Sequence, residues 1–116
     1  MLKRIEVEIE LLGDGTVRQT RPGTFVGGVP DPDRAGLTFS VYRERGDKRP
    51  VPFEGTLQLD IKGTPDGYRD AARYLLALAE LDTMADPDFH DHQDGFVSED
   101  GRATVNLVLR RSAPGL

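Results

Sequence analysis

The chain contains no cysteine and no tryptophan. The missing thiols exclude disulfide frameworks, thiolate zinc sites and cysteine nucleophiles, and suit a reducing cytosol. Aromatics are sparse. Any stacking platform would have to draw on Tyr42, Tyr68, Tyr74 and the five phenylalanines. No apolar run approaches the roughly 20 residues of a membrane-spanning helix. A basic excess is also lacking: the net charge is −5, which argues against a generally basic nucleic-acid-binding surface. The opening "MLKRIEVEIELL" interleaves Glu6, Glu8 and Glu10 with apolar residues, so it has no signal-peptide apolar core and argues against export by that route.

The 116 residues imply one domain, residues 1–116, long enough to bury a core without disulfides or metal. Ile5, Val7, Ile9 and Leu11 alternate with the glutamates, the pattern of a strand with one buried and one wet face. "GDG" at 13–15 offers a turn, and residues 16–20 can return as a short second strand. Residues 21–36 hold four glycines and three prolines and read as an irregular connection. Alternation returns at 37–45, with Leu37, Phe39 and Val41 inward, and at 54–63, with Leu57, Leu59 and Ile61 on one face. "GDKRP" at 46–50 reads as a turn, and Pro50 and Pro52 keep residues 50–53 out of a central strand.

The period then changes. Thr64 suits a helix cap, Pro65 the first helical position, and Asp66 the positive end of the helix. Tyr68, Ala71, Ala72, Leu75 and Ala79 follow 3.6-residue spacing, flanked by Leu76 and Leu78, and Asp86-Pro87 bounds the helix. Tyr74, Ala77 and Leu81 fall on the reverse side. Either the 21–36 connection covers them or they form a contact with a partner or a second copy. Residues 102–111 alternate as a last strand, with Ala103, Val105, Leu107 and Leu109 on one face. They are expected beside an earlier strand, such as the first, and residues 112–116 read as a frayed tail. The expected fold is an α+β two-layer sandwich: an antiparallel sheet of four to five strands with one amphipathic helix, about 65–82, packed on one face.

"DPDFHDHQDG" at 86–95 places Asp86, Asp88, His90, His92 and Asp94 at every second position. Three readings apply. In an extended segment His90 and His92 share a face and could hold zinc or nickel, with oxygens from Asp88 and Asp94. The proline, glycine and polar residues argue instead for a loop. A calcium loop fails, because aligning Gly95 to the central glycine puts Gly101 where a bidentate glutamate belongs. Third, Asp82, Asp86, Asp88, Asp91, Asp94, Glu99 and Asp100 form a run without lysine or arginine, which is either a solvated surface or one that steers a basic partner. Ser40, Ser98 and Ser112 lack a nucleophile-elbow context, and "GDG" and "VGGVP" lack that of a phosphate loop. No catalytic residue, cofactor or metal is assigned.

The run from "LDIKGTPDGYRDAARYLLALAELD" through "DPDFHDH" to "TVNLVLRR" resembles the small bacterial immunity proteins of polymorphic toxin systems, of the family numbered thirty-two. The shared features are a strand ending in Gly63, a helix opening near Gly67, a histidine-x-histidine and a closing strand, over roughly residues 57–111. Gln93 departs from the pattern, which calls for an apolar residue after His92, and this argues against a strand there. The resemblance implies a cytoplasmic, non-catalytic α+β protein that binds and neutralises a toxin by occlusion. Many such toxins are basic, and a negative surface competes with the phosphates of their substrates. The partner-binding residues expected on this reading are Asp86, Asp88, His90, Asp91, His92 and Asp94, with Tyr74 and Leu81 of the outer helix face second. The partner is a basic toxin protein rather than a nucleic acid or membrane, and the chain is a monomer or weak homodimer. The alternatives are a small metal-binding domain using His90 and His92, or an oligomeric accessory domain using Tyr74, Ala77 and Leu81.

Overall fold

The structure, a computed structural model, describes residues 1–22, 24–42 and 56–112. The side chains of Phe25 and Tyr42 lie outside that description, as do the expected "GDKRP" turn, the prolines at 50 and 52, the outer ends of the two central strands, and residues 113–116 of the tail. The elements are β1 (Arg18–Arg21), β2 (Thr24–Val26), β3 (Leu37–Tyr42), β4 (Gln58–Gly63), α1 (Pro65–Glu80), β5 (His90–Val97) and β6 (Thr104–Arg110).

The fold is α+β with one helix among the described residues, but the strands do not form one ladder. They make three antiparallel pairs: β1 with β2, β3 with β4, and β5 with β6. The β3–β4 pair runs in unbroken register from Leu37 opposite Gly63 to Tyr42 opposite Gln58. β3 lies beside β5, where Ser40 Oγ accepts from Glu99 N at 3.0 Å, without a backbone ladder between them. Alternation alone fixes which face of a strand is apolar; it does not fix which strands join.

The N-terminal stretch departs most from expectation. Its alternation is strand-like, yet residues 1–11 pair with no strand among the described residues, and Ile5 is 69% exposed. The GDG turn does form, with positive φ at Gly13 and Gly15. Asp14 accepts from Thr16 N at 2.9 Å, and that bond holds its carboxyl below the usual carboxylate range. What the turn joins is different: Leu12 N donates to Gly28 O, and Thr16 lies beside Asp82. Residues 18–21 then pair with 24–26 instead of returning along 5–11.

The helix starts as its sequence dictates. Thr64 Oγ1 accepts from Gly67 N at 2.9 Å, a cap contributing about 1 kcal/mol, with Pro65 in the first turn. Gly67 also rests on the backbone of Gly36. A methyl group on Gly36 would lie 2.6 Å from the Gly67 Cα, and one on Gly67 would overlap the Gly36 carbonyl, so the crossing needs both glycines. Leu81 ends the helix in an extended conformation. The last turn contains no basic residue, and Arg111 serves from beyond β6: its Nε donates to Leu78 O at 3.2 Å and its Nη2 to Ala79 O at 3.3 Å.

The buried side of the helix is not the stripe expected. Tyr74, Ala77, Leu78 and Leu81 form one core with Val17 and Val29, joined by the half-buried Leu11, Phe89 and Leu109. The expected cover, the 21–36 connection, supplies only Val29; Val17 and Leu11 come from the segments expected as the first two strands, and Phe89 and Leu109 complete the seal. Leu37, Phe39 and Phe96 form a second core against Ala71, Val105 and Leu107. Tyr68, Leu75 and Leu76 remain about half exposed. Tyr68 Oη nonetheless donates to Ile61 O at 2.9 Å, tying the first helical turn to β4.

Candidate functional site: a polar knot and an acidic cleft

Residues 90–97, expected as a loop, form strand β5. Two devices reconcile the polar sequence with a ladder. First, the strand bulges between Gln93 and Phe96, with Gly95 at φ 84° and its N–H given to Asn106 Oδ1 at 2.9 Å. The bulge shifts the parity, so that Asp91 and Gln93 point inward before it and Phe96 and Ser98 after it. Second, the inward polar groups satisfy one another. Gln93 is 0% exposed. Its Oε1 accepts from Arg34 Nη2 at 2.8 Å, and its Nε2 donates to Asp31 Oδ1 and Asp91 Oδ2, each at 2.9 Å. Asp91 Oδ2 also accepts from Tyr74 Oη at 2.5 Å. Arg34 Nε donates to Asp94 O at 2.6 Å, and its guanidinium lies 5.7 Å above the Phe96 ring, which meets Phe39 edge-on at 4.6 Å. A buried amide without partners would cost about 1–3 kcal/mol; this one binds the 31–34 segment, α1 and β5 together.

Burial, together with the neighbouring Asp91, pushes the Tyr74 hydroxyl far above the usual phenol value. Tyr74 stays a neutral donor, and the carboxylate of Asp91 is occupied as its acceptor.

Beside the knot opens a cleft of about 460 Å³. It is lined by Glu8 and Glu10 from the N-terminal stretch, Asp31 with Pro30 and Pro32, and Asp70, Arg73 and Tyr74 from α1. Asp70 Oδ2 accepts from Asp33 N at 2.6 Å, which holds the 31–33 segment against the helix. Four carboxylates from three parts of the chain thus share one concavity with Arg73. Sequence reasoning missed Asp31 and Asp70. The available signal was "PDPDR" at 30–34, where proline at every second position stiffens a short run of acids.

The expected contact residues fall into three groups. Asp88, His90, His92 and Asp94 are exposed, and Asp86 is half-buried. Asp91 turns inward to Tyr74 and Gln93, so it is spoken for. Tyr74 and Leu81 lie in the core under Val17 and Val29, which removes them from an outer docking face and from a self-association face. His90 and His92 do share a face, their ring centres 4.9 Å apart and edge-on, with Arg110 opposite His90 and Val108 opposite His92. Among the described residues no three histidine or acidic side chains are placed to hold a metal ion.

A third feature is a largely apolar groove of about 610 Å³ between α1 and the strands. Tyr68, Ala71 and Leu75 line one wall; Leu59, Ile61, Phe96 and Leu107 line the other. Among the described residues no helix is long and apolar enough to cross a membrane. Comparison with protein-family models, with curated proteins and with solved structures finds no match to this chain.

Proposed function

We propose that this chain is a non-catalytic, immunity-type binding protein that neutralises a basic toxin in the cytoplasm, and that the acidic cleft receives cationic side chains of that partner. The observation that supports this reading most is the convergence of Glu8, Glu10, Asp31 and Asp70 on one concavity of a protein with net charge −5. Separate segments hold the carboxylates together, and like charges so placed attract a guanidinium or ammonium group more strongly than any one of them alone. The exposed Asp88, His90, His92 and Asp94 extend the contact, and such charge raises the association rate more than it deepens affinity. The polar knot is the support: Asp31 is held by Gln93, and Asp70 by the Asp33 amide. A small metal-binding domain using His90 and His92 is the second reading, favoured by the 4.9 Å spacing of the rings.

The experiment is co-expression in bacteria with the product of the neighbouring gene, which this reading expects to be a secreted protein ending in a toxic domain. The expected result is growth in the presence of the toxic domain, lost when Asp31 and Asp70 are both changed to asparagine. Failure to protect, or protection unchanged by that pair, overturns the reading. A zinc and nickel titration by calorimetry separates the second reading: heat and stabilisation abolished by His92→Ala would support it.

A further inference from the structure

We propose that the N-terminal stretch of one copy adds as an edge strand to β6 of a second copy, and the reverse, giving a two-fold strand-exchanged dimer. This goes beyond the toxin-binding reading and does not rest on it.

Two unsatisfied features of the chain match. The first is a strand without a sheet. Ile5, Val7 and Ile9 alternate with Glu6, Glu8 and Glu10, yet among the described residues the stretch pairs with no strand and all three aliphatic side chains are exposed. The second is a sheet edge without a strand. β6 is bonded to β5 on one side, and among the described residues nothing pairs with the other. That edge carries no charge until its last residue, and it contains no proline or bulge of its own, so it lacks the usual protection of exposed edges.

The faces also correspond. Val105, Leu107 and Leu109 are the half-buried inward residues of β6, while Val108 and Arg110 face outward. A strand added with Ile5, Val7 and Ile9 inward continues the apolar face beside Leu107 and Leu109, which also line the open groove. Its glutamates then lie on the outward face that carries Arg110, with the exposed Arg102 ahead of the strand.

A second copy is the occupant because of where the stretch runs in its own chain. Leu12 is bonded to Gly28, Leu11 packs in the core, and residues 8–10 follow the flank of α1 that carries Asp70, Arg73 and Ala77. The groove opens on the other flank, at Tyr68, Ala72 and Leu75. The same donation made in both directions closes the assembly, so no chain of copies grows. In the dimer Glu8 and Glu10 leave the acidic cleft.

Sedimentation velocity of the full chain over a wide concentration range tests this, with amide hydrogen exchange as a second readout. The expected result is a monomer–dimer equilibrium, with residues 4–10 and 104–110 gaining protection together in the dimer. Val7→Lys, at a solvent-exposed position, should abolish the dimer while the melting temperature of the monomer is unchanged. Arg110→Glu should weaken the dimer about fivefold, since it sets like charges side by side. A mass that stays monomeric at every concentration overturns the proposal, as does a dimer indifferent to Val7→Lys. Protection of residues 4–10 in the monomer would mean that the chain's own edge takes the strand, and overturns it too.

Discussion

The two flanks of α1 present the same kinds of side chain and meet different fates. On one, Tyr74, Ala77, Leu78 and Leu81 are sealed by Val17 and Val29 from the 11–30 arm. On the other, Tyr68, Ala72 and Leu75 look across a groove at Leu59 and Ile61, and Leu75 keeps 53% of its surface in water. The sealed flank has a cover tied by backbone hydrogen bonds, Val17 N to Asp82 O and Asp82 N to Gly15 O, both 2.9 Å. The open flank is anchored at Gly36–Gly67 and at Tyr68, and nothing among the described residues fills the gap between. Apolar composition therefore does not decide burial. A hydrogen-bonded segment close enough to cover the surface does.

Substitutions sharpen that contrast. Phe96→Ala should cost the most, about 3–5 kcal/mol in chemical denaturation, because Phe96 is 2% exposed and carries both Phe39 and Arg34. Leu81→Ala on the sealed flank should cost about 2–5 kcal/mol, and Leu75→Ala on the open one under about 1 kcal/mol. Equal costs would erase the distinction between the flanks. Gln93→Leu should lose about 1–3 kcal/mol despite adding apolar volume, since Asp31 and Arg34 lose a buried partner. Gly67→Ala should destabilise by at least about 1 kcal/mol, against the helix preference for alanine, because the methyl meets Gly36.

The smallest effect is one of pH. Tyr74 has its folded-state value raised, so the stability linked to its proton is complete below about pH 10, the free phenol value, and falls as the pH rises beyond it. Tyr74→Phe should flatten the alkaline decline in melting temperature. An unchanged alkaline limb would show that the hydroxyl is neither buried nor held by Asp91 as the structure has it.

Much of this was legible from residues. Thr64, Pro65 and Asp66 announced the helix start, and alternation marked β3, β4 and β6. What escaped was pairing and parity. β5 was hidden because its inward positions, Asp91 and Gln93, are polar and become inward core positions only once Arg34, Asp31 and Tyr74 arrive from elsewhere. The Asp94-Gly95 bulge then breaks the two-residue period, so no single alternation spans the strand. The 3.6-residue spacing of Tyr68, Ala71, Ala72, Leu75 and Ala79 predicts a core-facing stripe, but such spacing identifies apolar flanks without ranking their burial. The acidic cleft was invisible because Glu8, Asp31 and Asp70 are far apart in the chain.

The meeting of Gly36 and Gly67 is backbone against backbone, with no side chains to interlock. It sets where the rod of α1 starts, and the Tyr68 bond to Ile61 O fastens the first turn beside it. The other end is held in part by Arg111, which clasps the carbonyls of Leu78 and Ala79. Removing the clasp with Arg111→Ala would leave that end fastened by Leu78 and Leu81 in the core and by the Asp82 bonds to Gly15 and Val17, so the rod would stay seated and only its last carbonyls would open to water.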